Sequence, residues 1–347
     1  MRLTPIPAER RAAIAAGPRD RAAHAALLAK LPLGALAGEP DAARGGIAGP
    51  SLRAVAWNLA RCRDVEGSAA LLAAARPDVV LLSEMDWGMA RSGQRHTARD
   101  LASALGMSWA FGAEFLELDL GGARERAEHA GSANAVGFHG NAIAARAALQ
   151  RPRLARLETR GDWFDGARGE RRVGGRCALL AQVELAGRRL TLASVHLESH
   201  GTRDERADEM RALVEAIDAY DRDAPVLVGG DLNSFSLALA EVGDPGRVGA
   251  ALRDDPHRWA DPVAHEPLFA VAAEAGFAWA DANALRVPTL RHATPEGSAR
   301  SALKLDWFLC RGLAPSEPAV LEAVAPSDGA LLSDHEAIAV SVAFAAP

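Results

Sequence analysis

The most informative stretch of this 347-residue sequence is Val226-Leu-Val-Gly-Gly-Asp231-Leu-Asn233. Its apolar run predicts a buried strand that ends in a carboxylate and an amide two residues apart. In an extended chain this spacing places both side chains on one face, where they can act together. Taken alone, the pair is explained equally well as a helix N-cap cluster.

The same arrangement recurs along the chain, because five other stretches place polar side chains at the end of, or beside, a predicted strand. They close the stretches Ala54-Val-Ala-Trp-Asn58, Asp78-Val-Val-Leu-Leu-Ser-Glu84, Leu190-Thr-Leu-Ala-Ser-Val-His196, Leu303-Lys-Leu-Asp306 and Leu331-Leu-Ser-Asp334-His335. Each has a structural explanation of its own, such as a turn cap for Asn58 or a surface imidazole for His335. An acid inside an apolar run, as at Asp306, is costly without a partner. Since strand ends commonly display catalytic groups, the recurrence predicts one shared polar site.

Together these motifs resemble the endonuclease/exonuclease/phosphatase superfamily over roughly residues 52 to 345. The most specific pieces are Gly230-Asp-Leu-Asn233 and Ser333-Asp-His335, while Val195-His-Leu197 matches the imidazole-bearing strand of some branches. Leu81-Leu-Ser-Glu84 matches the acidic metal box, with Ser where many members have Gln, and Leu305-Asp-Trp-Phe308 keeps the family's acid. The resemblance implies an α/β, DNase I-like fold: a four-layer αββα sandwich with two mixed β-sheets.

The resemblance also implies a phosphoric ester hydrolase that depends on Mg²⁺ or Mn²⁺. Glu84 would be the principal carboxylate ligand of the metal, with Asn58 beside it, and Asp334 would approach the same region. Hard oxygen ligands in an incomplete protein cage suit Mg²⁺, which keeps waters and accepts phosphate oxygens.

Catalytic roles follow from the same resemblance. His335 would be the general base or the cation that faces the scissile phosphate, and Asp306 would hold its ring. Asp231 and Asn233 would position the attacking water and the phosphoryl oxygens, and His196 would donate to a non-bridging oxygen or assist the leaving group. Whether Asp231 or His335 removes the proton of the water is open.

Two further stretches are candidates for substrate binding. The segment after the metal box carries Arg91, Arg95 and His96, and arginine forks match phosphate oxygens well. Asn141 lies on a predicted strand in Phe138-His-Gly-Asn141. The structural alternatives are a capped helix start for the first stretch and a core amide for the second.

Composition bears on the substrate and on location. The formal charge is -6, whereas binding of long nucleic acid draws on many basic groups, and aromatic residues make up only 5%. We therefore expect a small molecule or a lipid headgroup as the phosphate-ester substrate, with a DNA or RNA nuclease as the alternative. A catalytically silent interaction scaffold is a third hypothesis, from another class. No apolar run reaches the length of a membrane span, and a cytoplasmic location is expected by default.

The chain divides into an N-terminal helical arm and linker, residues 1–50, and a catalytic domain, residues 51–347. Two polar stretches, 112–131 and 151–176, are expected to be loops over the active site, with the arginines of the second on a solvated face. The arm helices are predicted at Ala8–Ala16 and Asp20–Leu31. The domain's strands are predicted at Leu52–Trp57, Val79–Ser83, Asn134–Ala144, Cys177–Leu185, Arg189–His196, Val226–Gly229, Leu303–Leu309 and Ala337–Phe344, and its helices at Val65–Ala75, Thr97–Leu105, Arg203–Tyr220 and Pro267–Glu274.

Overall fold

The computed structural model describes residues 2–43, 45–294 and 297–346. Within them the strands are β1 Leu36–Glu39, β2 Ser51–Arg61, β3 Val79–Trp87, β4 Ser108–Glu117, β5 Phe138–Ala145, β6 Gln150–Arg156, β7 Arg172–Gly174, β8 Cys177–Leu185, β9 Arg188–His196, β10 Val226–Asp231, β11 Arg291–Thr294, β12 Gly297–Arg300, β13 Asp306–Arg311, β14 Leu313–Leu321 and β15 Ala337–Phe344.

The α-helices in the same residues are α1 Ala8–Ala16, α2 Arg21–Lys30, α3 Val65–Ala75, α4 Thr97–Leu105, α5 Ala123–Glu128, α6 Arg203–Asp221, α7 Leu239–Val242, α8 Pro245–Asp254 and α9 Pro267–Glu274. None of the described helices combines the length and the apolar character that crossing a membrane requires.

Two mixed sheets form the centre of the fold, as the resemblance implies. The large sheet has the order β1-β4-β5-β3-β2-β15-β14, with β7 added on β4, and the small sheet has the order β13-β10-β9-β8-β6. Strands β2 and β3 are parallel, as are β9 and β10, while most other neighbours are antiparallel. The sheets face each other across a dry core that includes Leu81, Leu227 and Phe308.

Helices cover the outer face of each sheet and complete the four layers. On the large sheet, α3 and α4 pack over a cluster that includes Trp57 and Leu82. On the small sheet, α6 and α9 pack over a cluster that includes Leu213 and Trp307. Both sheets are therefore buried on both faces, which explains why their central strands read as near-continuous apolar runs.

The first 50 residues pack against the domain. Both predicted arm helices are present, but Leu36–Glu39 forms an edge strand on β4 within the span expected to be linker. Leu3, Ile6 and Leu33 are buried in the same cluster as the outer face of the large sheet. The boundary near residue 50 stays a prediction, and the span read as a linker contains the strand β1.

The two stretches expected to be loops are more regular than predicted. The first begins inside β4 and contains all of α5, and the second contains all of β7 and all of β6 except its first residue. Every residue of β4 is buried, including Glu114 and Glu117. Those acids break the apolar pattern that sequence reading depends on, and this is why the strand was missed.

Gly230 permits a close approach between two strands of the small sheet. Its φ is +150°, and a Cβ atom at this position would lie 2.0 Å from the carbonyl oxygen of Val195 on β9. Since Asp231 is the next residue, this close approach fixes where the carboxylate at the end of β10 lies. A side chain at Gly230 would push β10 away from β9.

We expect Gly230→Ala to lower the free energy of unfolding by roughly 2–4 kcal/mol, because backbone strain and overpacking add. Gly34→Ala is the control, since a Cβ atom there meets nothing within 4 Å. Urea unfolding of both variants measures the difference. Equal stability of the two variants would contradict the assigned close approach.

Candidate active site

Three adjacent strands of the small sheet bring His196, Asp231 and Asp306 side by side. Asp231 at the end of β10 is in register with His196 on parallel β9 and with Asp306 on antiparallel β13. Residues in register on neighbouring strands point to the same face. At one end of these strands the small sheet therefore presents the His196 imidazole beside the carboxylates of Asp231 and Asp306.

The large sheet contributes Asn58 and Glu84 through two irregular strand ends. The register shifts between Asn58 and Arg61 on β2 and between Leu82 and Met85 on β3, and Glu84 has a φ of 57°. Such bulges turn a side chain out of the regular alternation. As a result, the Asn58 amide donates to Glu84 Oε1 at 3.2 Å and, across the gap between the sheets, to Asp231 Oδ2 at 3.1 Å.

His335 is fixed from several sides. Its Nδ1 lies 2.9 Å from Asp306 Oδ2, and its Nε2 lies 3.7 Å from Asp231 Oδ2. The Ser333 hydroxyl donates to the Asn58 carbonyl at 2.6 Å and accepts from the His335 amide at 3.1 Å. Ser333 thus serves turn hydrogen bonding, and Asp306 orients the ring.

The buried carboxylates and imidazoles shift one another's protonation. Burial lowers the pKa of His335, but the charges of Asp306 and Asp231 outweigh it and hold that pKa well above its usual value. Burial raises the pKa of Asp231, helped by Asp306 and opposed by His335 and His196. Asp231 and His335 therefore each hold a proton more tightly than the free side chains would.

The guanidinium of Arg61, a residue outside the predicted site, balances the negative charge of Glu84, the predicted metal ligand. Arg61 pairs with Glu84 and also contacts Glu125 at 3.2 Å. Burial raises the pKa of Glu84, but Arg61 together with His139, His196 and His335 outweighs it and keeps that pKa well below its usual value. The carboxylate is therefore available in its charged form. The one signal in the sequence that could have identified Arg61 is its position three residues after Asn58.

Oxygen donors of the kind that Mg²⁺ prefers gather at this point. They are the carboxylates of Glu84 and Asp231, and the Asn58 side chain lies between them with its Nδ2 toward both. The Oδ1 atom of Asp306 is buried without a hydrogen-bond partner among the described residues, and ligand atoms of Asp231, Asp306 and His335 all lie within 4.8 Å of one another. This donor set fits a divalent cation.

Arg176 anchors the other wall of the site and was missed. It donates to Glu114 Oε1 at 2.6 Å and to Glu198 Oε2 at 3.1 Å, and its Nη1 lies 3.0 Å from His196 Nδ1. Burial raises the pKa of Glu114, but Arg176 and His196 bring it down to about 2. Arg171 and Arg172 are also buried, so the expected solvated face is wrong for these three arginines.

A cavity of about 360 Å³ opens between the two sheet edges. Six of the eight predicted catalytic and metal-binding residues line it, while Asn58 and Asp306 lie behind their partners. The lining includes Glu84, His196, Asp231, Asn233, Asp334 and His335.

The Asn233 side chain is held in place because its amide nitrogen donates to the Leu197 carbonyl at 2.8 Å. Asp334 is exposed at the rim. His139, Trp163 and Arg168 also line the cavity.

The four residues predicted to bind substrate lie elsewhere. Arg91 is fully buried and pairs with Asp86 through two 2.9 Å hydrogen bonds, while Arg95 pairs at the surface with Asp100. His96 stacks on Trp87, and Asn141 donates to the Cys177 carbonyl at 2.8 Å. None of these four lines the cavity. All four are engaged in contacts within the protein, and their role in substrate binding stays a prediction.

The sequence matches the profile of the endonuclease/exonuclease/phosphatase family over residues 55–335. The chain belongs to this family. No curated protein matches the sequence. The family assignment agrees with the αββα sandwich and with the convergence of its strand-end motifs on one cavity.

Solved structures of the family share the fold at low sequence identity. An endonuclease/exonuclease/phosphatase from Beutenbergia cavernae is 17% identical, with a TM-score of 0.56 over 85% of this chain and 72% of that chain. The human Nocturnin catalytic domain with bound sulfate is 18% identical, with a TM-score of 0.54 over 85% and 94%. A humanized D. rerio TDP2 is 19% identical, with a TM-score of 0.51 over 85% and 99%.

The contrast between Arg91 and Arg95 is testable. Arg91→Ala leaves buried acids without their cation and should lower the free energy of unfolding by roughly 3–5 kcal/mol. Arg95→Ala removes a surface pair and should lower it by about 1 kcal/mol or less. Chemical denaturation of the two variants gives both values. Wild-type stability in Arg91→Ala would show that the buried network is wrongly assigned.

Proposed function

We propose that the protein hydrolyses a phosphate ester with the help of a divalent metal ion and water. The observation that carries the proposal is the convergence of Asn58 and Glu84 from one sheet with Asp231 and the Asp306–His335 pair from the other. This set combines hard oxygen donors with an oriented imidazole, the combination that water attack on an anionic ester requires. It contains no nucleophilic serine or cysteine in need of activation.

Glu84 and Asn58, with Asp334 at the rim, would hold Mg²⁺ or Mn²⁺. When bound, such an ion neutralises phosphate oxygens and orients the ester. The guanidinium of Arg61 already neutralises Glu84 in this structure. Arg61 therefore stabilises the buried carboxylate before a metal arrives, and it offers a second cation to the substrate.

The remaining residues act on the water and on the phosphoryl group. Asp306 occupies Nδ1 of His335, so that Nε2 is directed at Asp231 and the cavity. Either Asp231 or His335 takes the proton of the attacking water, since the two are neighbours. Asn233 and His196, on the same wall, supply amide and imidazole donors to phosphoryl oxygens.

A small or lipid-linked substrate is favoured over long nucleic acid. The cavity's volume lies near the lower end of the range for small-ligand sites. Its arginines each face a carboxylate, as with Arg176 and Glu114 or Arg168 and Glu198, so the cavity is no strongly basic groove. Nuclease activity remains the alternative, and a solved D. rerio TDP2 is described as complexed with a single-strand DNA product.

The direct test is a screen of phosphate mono- and diesters, lipid phosphodiesters and plasmid DNA. We expect EDTA to abolish turnover of a small or lipid-linked ester and Mg²⁺ or Mn²⁺ to restore it. Glu84→Gln should lower turnover on the order of 10²-fold or more, because the charge stabilisation supplied by a metal is worth several kcal/mol.

Glu66→Gln is the matched control, because Glu66 pairs with Arg95 at the surface. Turnover that resists EDTA, or wild-type turnover in Glu84→Gln, would remove the proposed metal site. Cleavage of DNA alone would select the nuclease alternative.

The role of Asp306 in orienting His335 has a test of its own. Asp306→Asn keeps the shape but loses the charge that orients and supports His335, so we expect kcat to fall on the order of 10²–10⁴-fold with little change in KM. Asp261→Asn, which alters only a surface pair with Arg286, serves as the control. A kcat within twofold of wild type would exclude the Asp–His arrangement as part of the chemistry.

A further inference from the structure

One arginine joins the N-terminal arm to the wall of the cavity. The guanidinium of Arg171 donates to carbonyls at the end of α1, reaching Pro18 at 3.0 Å, Ile14 and Gly17 at 3.3 Å, and also Ala15. The last carbonyls of a helix lack partners within the helix, and a cation is favourable at this end. Arg171 thus supplies a cap that the sequence of α1 does not provide.

The other side of Arg171 faces the segment that forms the cavity wall. Its Nε donates to the Phe164 carbonyl at 3.0 Å, and its guanidinium lies 4.9 Å from the centre of the Phe164 ring. The next residue, Arg172, lines the cavity and packs 4.6 Å from the ring of Trp163, another lining residue. A shift of Arg171 would therefore move residues that face the substrate.

The second arm helix holds the same segment at another point. His24 on α2 is fully buried, and its Nε2 lies 2.9 Å from the carbonyl oxygen of Gly174, in β7. A Cβ atom at Gly161 would come within 2.5 Å of the imidazole, so the absence of a side chain there lets the ring fit. The ring also packs against Phe164 at 5.5 Å.

The arm also contacts the domain at a second point. Arg11 on α1 donates to the carbonyls of Asn134 at 2.5 Å and Ala135 at 3.4 Å, in the loop that follows α5. The arm is therefore attached both to the segment 157–176 and to this loop, although it lies outside the residues matched to the family, 55–335.

We infer that the N-terminal arm is a positioning element of the active site. Arg171 is the positioning residue that sets how far the arginines of the segment 157–176 reach into the cavity. The segment 157–176 carries Arg168, Arg172 and Arg176 into the cavity. No regular structure other than the short β7 holds this segment between the end of β6 and the start of β8. Its contacts with the arm supply the restraint that a longer strand or helix would otherwise give.

The test compares Arg171→Ala with Arg19→Ala. Arg19 also reaches from the arm to this segment, but only through an exposed 3.4 Å contact with the Asp165 carbonyl. For Arg171→Ala we expect KM for the phosphate ester to rise about 10-fold or more with kcat within about threefold, because misplaced binding groups weaken substrate positioning. Hydrogen exchange in residues 157–176 should accelerate, while Arg19→Ala should match wild type in both measurements.

The KM readout rests on the proposed function, so a second readout is independent of it: calorimetric affinity for inorganic phosphate, which should fall in Arg171→Ala. If the wild type hydrolyses no ester, the proposed function fails and the inference is judged on phosphate affinity and exchange alone. A folded Arg171→Ala protein with unchanged KM and phosphate affinity would overturn the inference, even if its melting temperature fell. Should that variant not fold, Arg171→Gln, which keeps an uncharged donor, is judged by the same criteria.

Discussion

The amide of Asn58 in the large sheet meets the carboxylate of Asp231 in the small sheet at 3.1 Å, and the site depends on this contact. For it to form, Asn58 on β2 and Asp231 at the end of β10 must lie at the same level of the sandwich. The close approach at Gly230 and the bulge that turns Glu84 out of β3 serve that requirement. The two sheets thereby place oxygen donors and an imidazole around one cavity, which neither sheet does alone.

Burial of so many charges imposes a second constraint. A carboxylate removed from water is costly unless a cation and hydrogen bonds compensate it. In this protein guanidinium groups supply the compensation, with Arg61 beside Glu84 and Arg176 between Glu114 and Glu198. The cavity is consequently balanced in charge, which is consistent with a substrate that brings few phosphates. The arm adds to this arrangement by holding the segment that carries Arg176.

The sequence predicted those parts of the fold whose signal is local. The bounds of β8, β15, α3, α4 and α9 match the prediction because each has its own apolar period and end signals. The strand-end motifs likewise identified the residues that converge on the cavity. Arg176 was missed because its partner Glu114 is 62 residues away, and β1 because four residues containing a glycine carry little pattern. Arg91 was misassigned since nothing local distinguishes a buried ion pair from a phosphate-binding arginine.

The binding of Mn²⁺ tests most directly whether Glu84 and Asn58 hold a catalytic divalent metal. Electron paramagnetic resonance titration counts free Mn²⁺ and requires no knowledge of the substrate. We predict saturable binding by the wild-type protein and at least about 10-fold weaker binding by Glu84→Gln, as expected when a charged ligand is lost. Equal Mn²⁺ affinity in the two proteins would contradict the assignment.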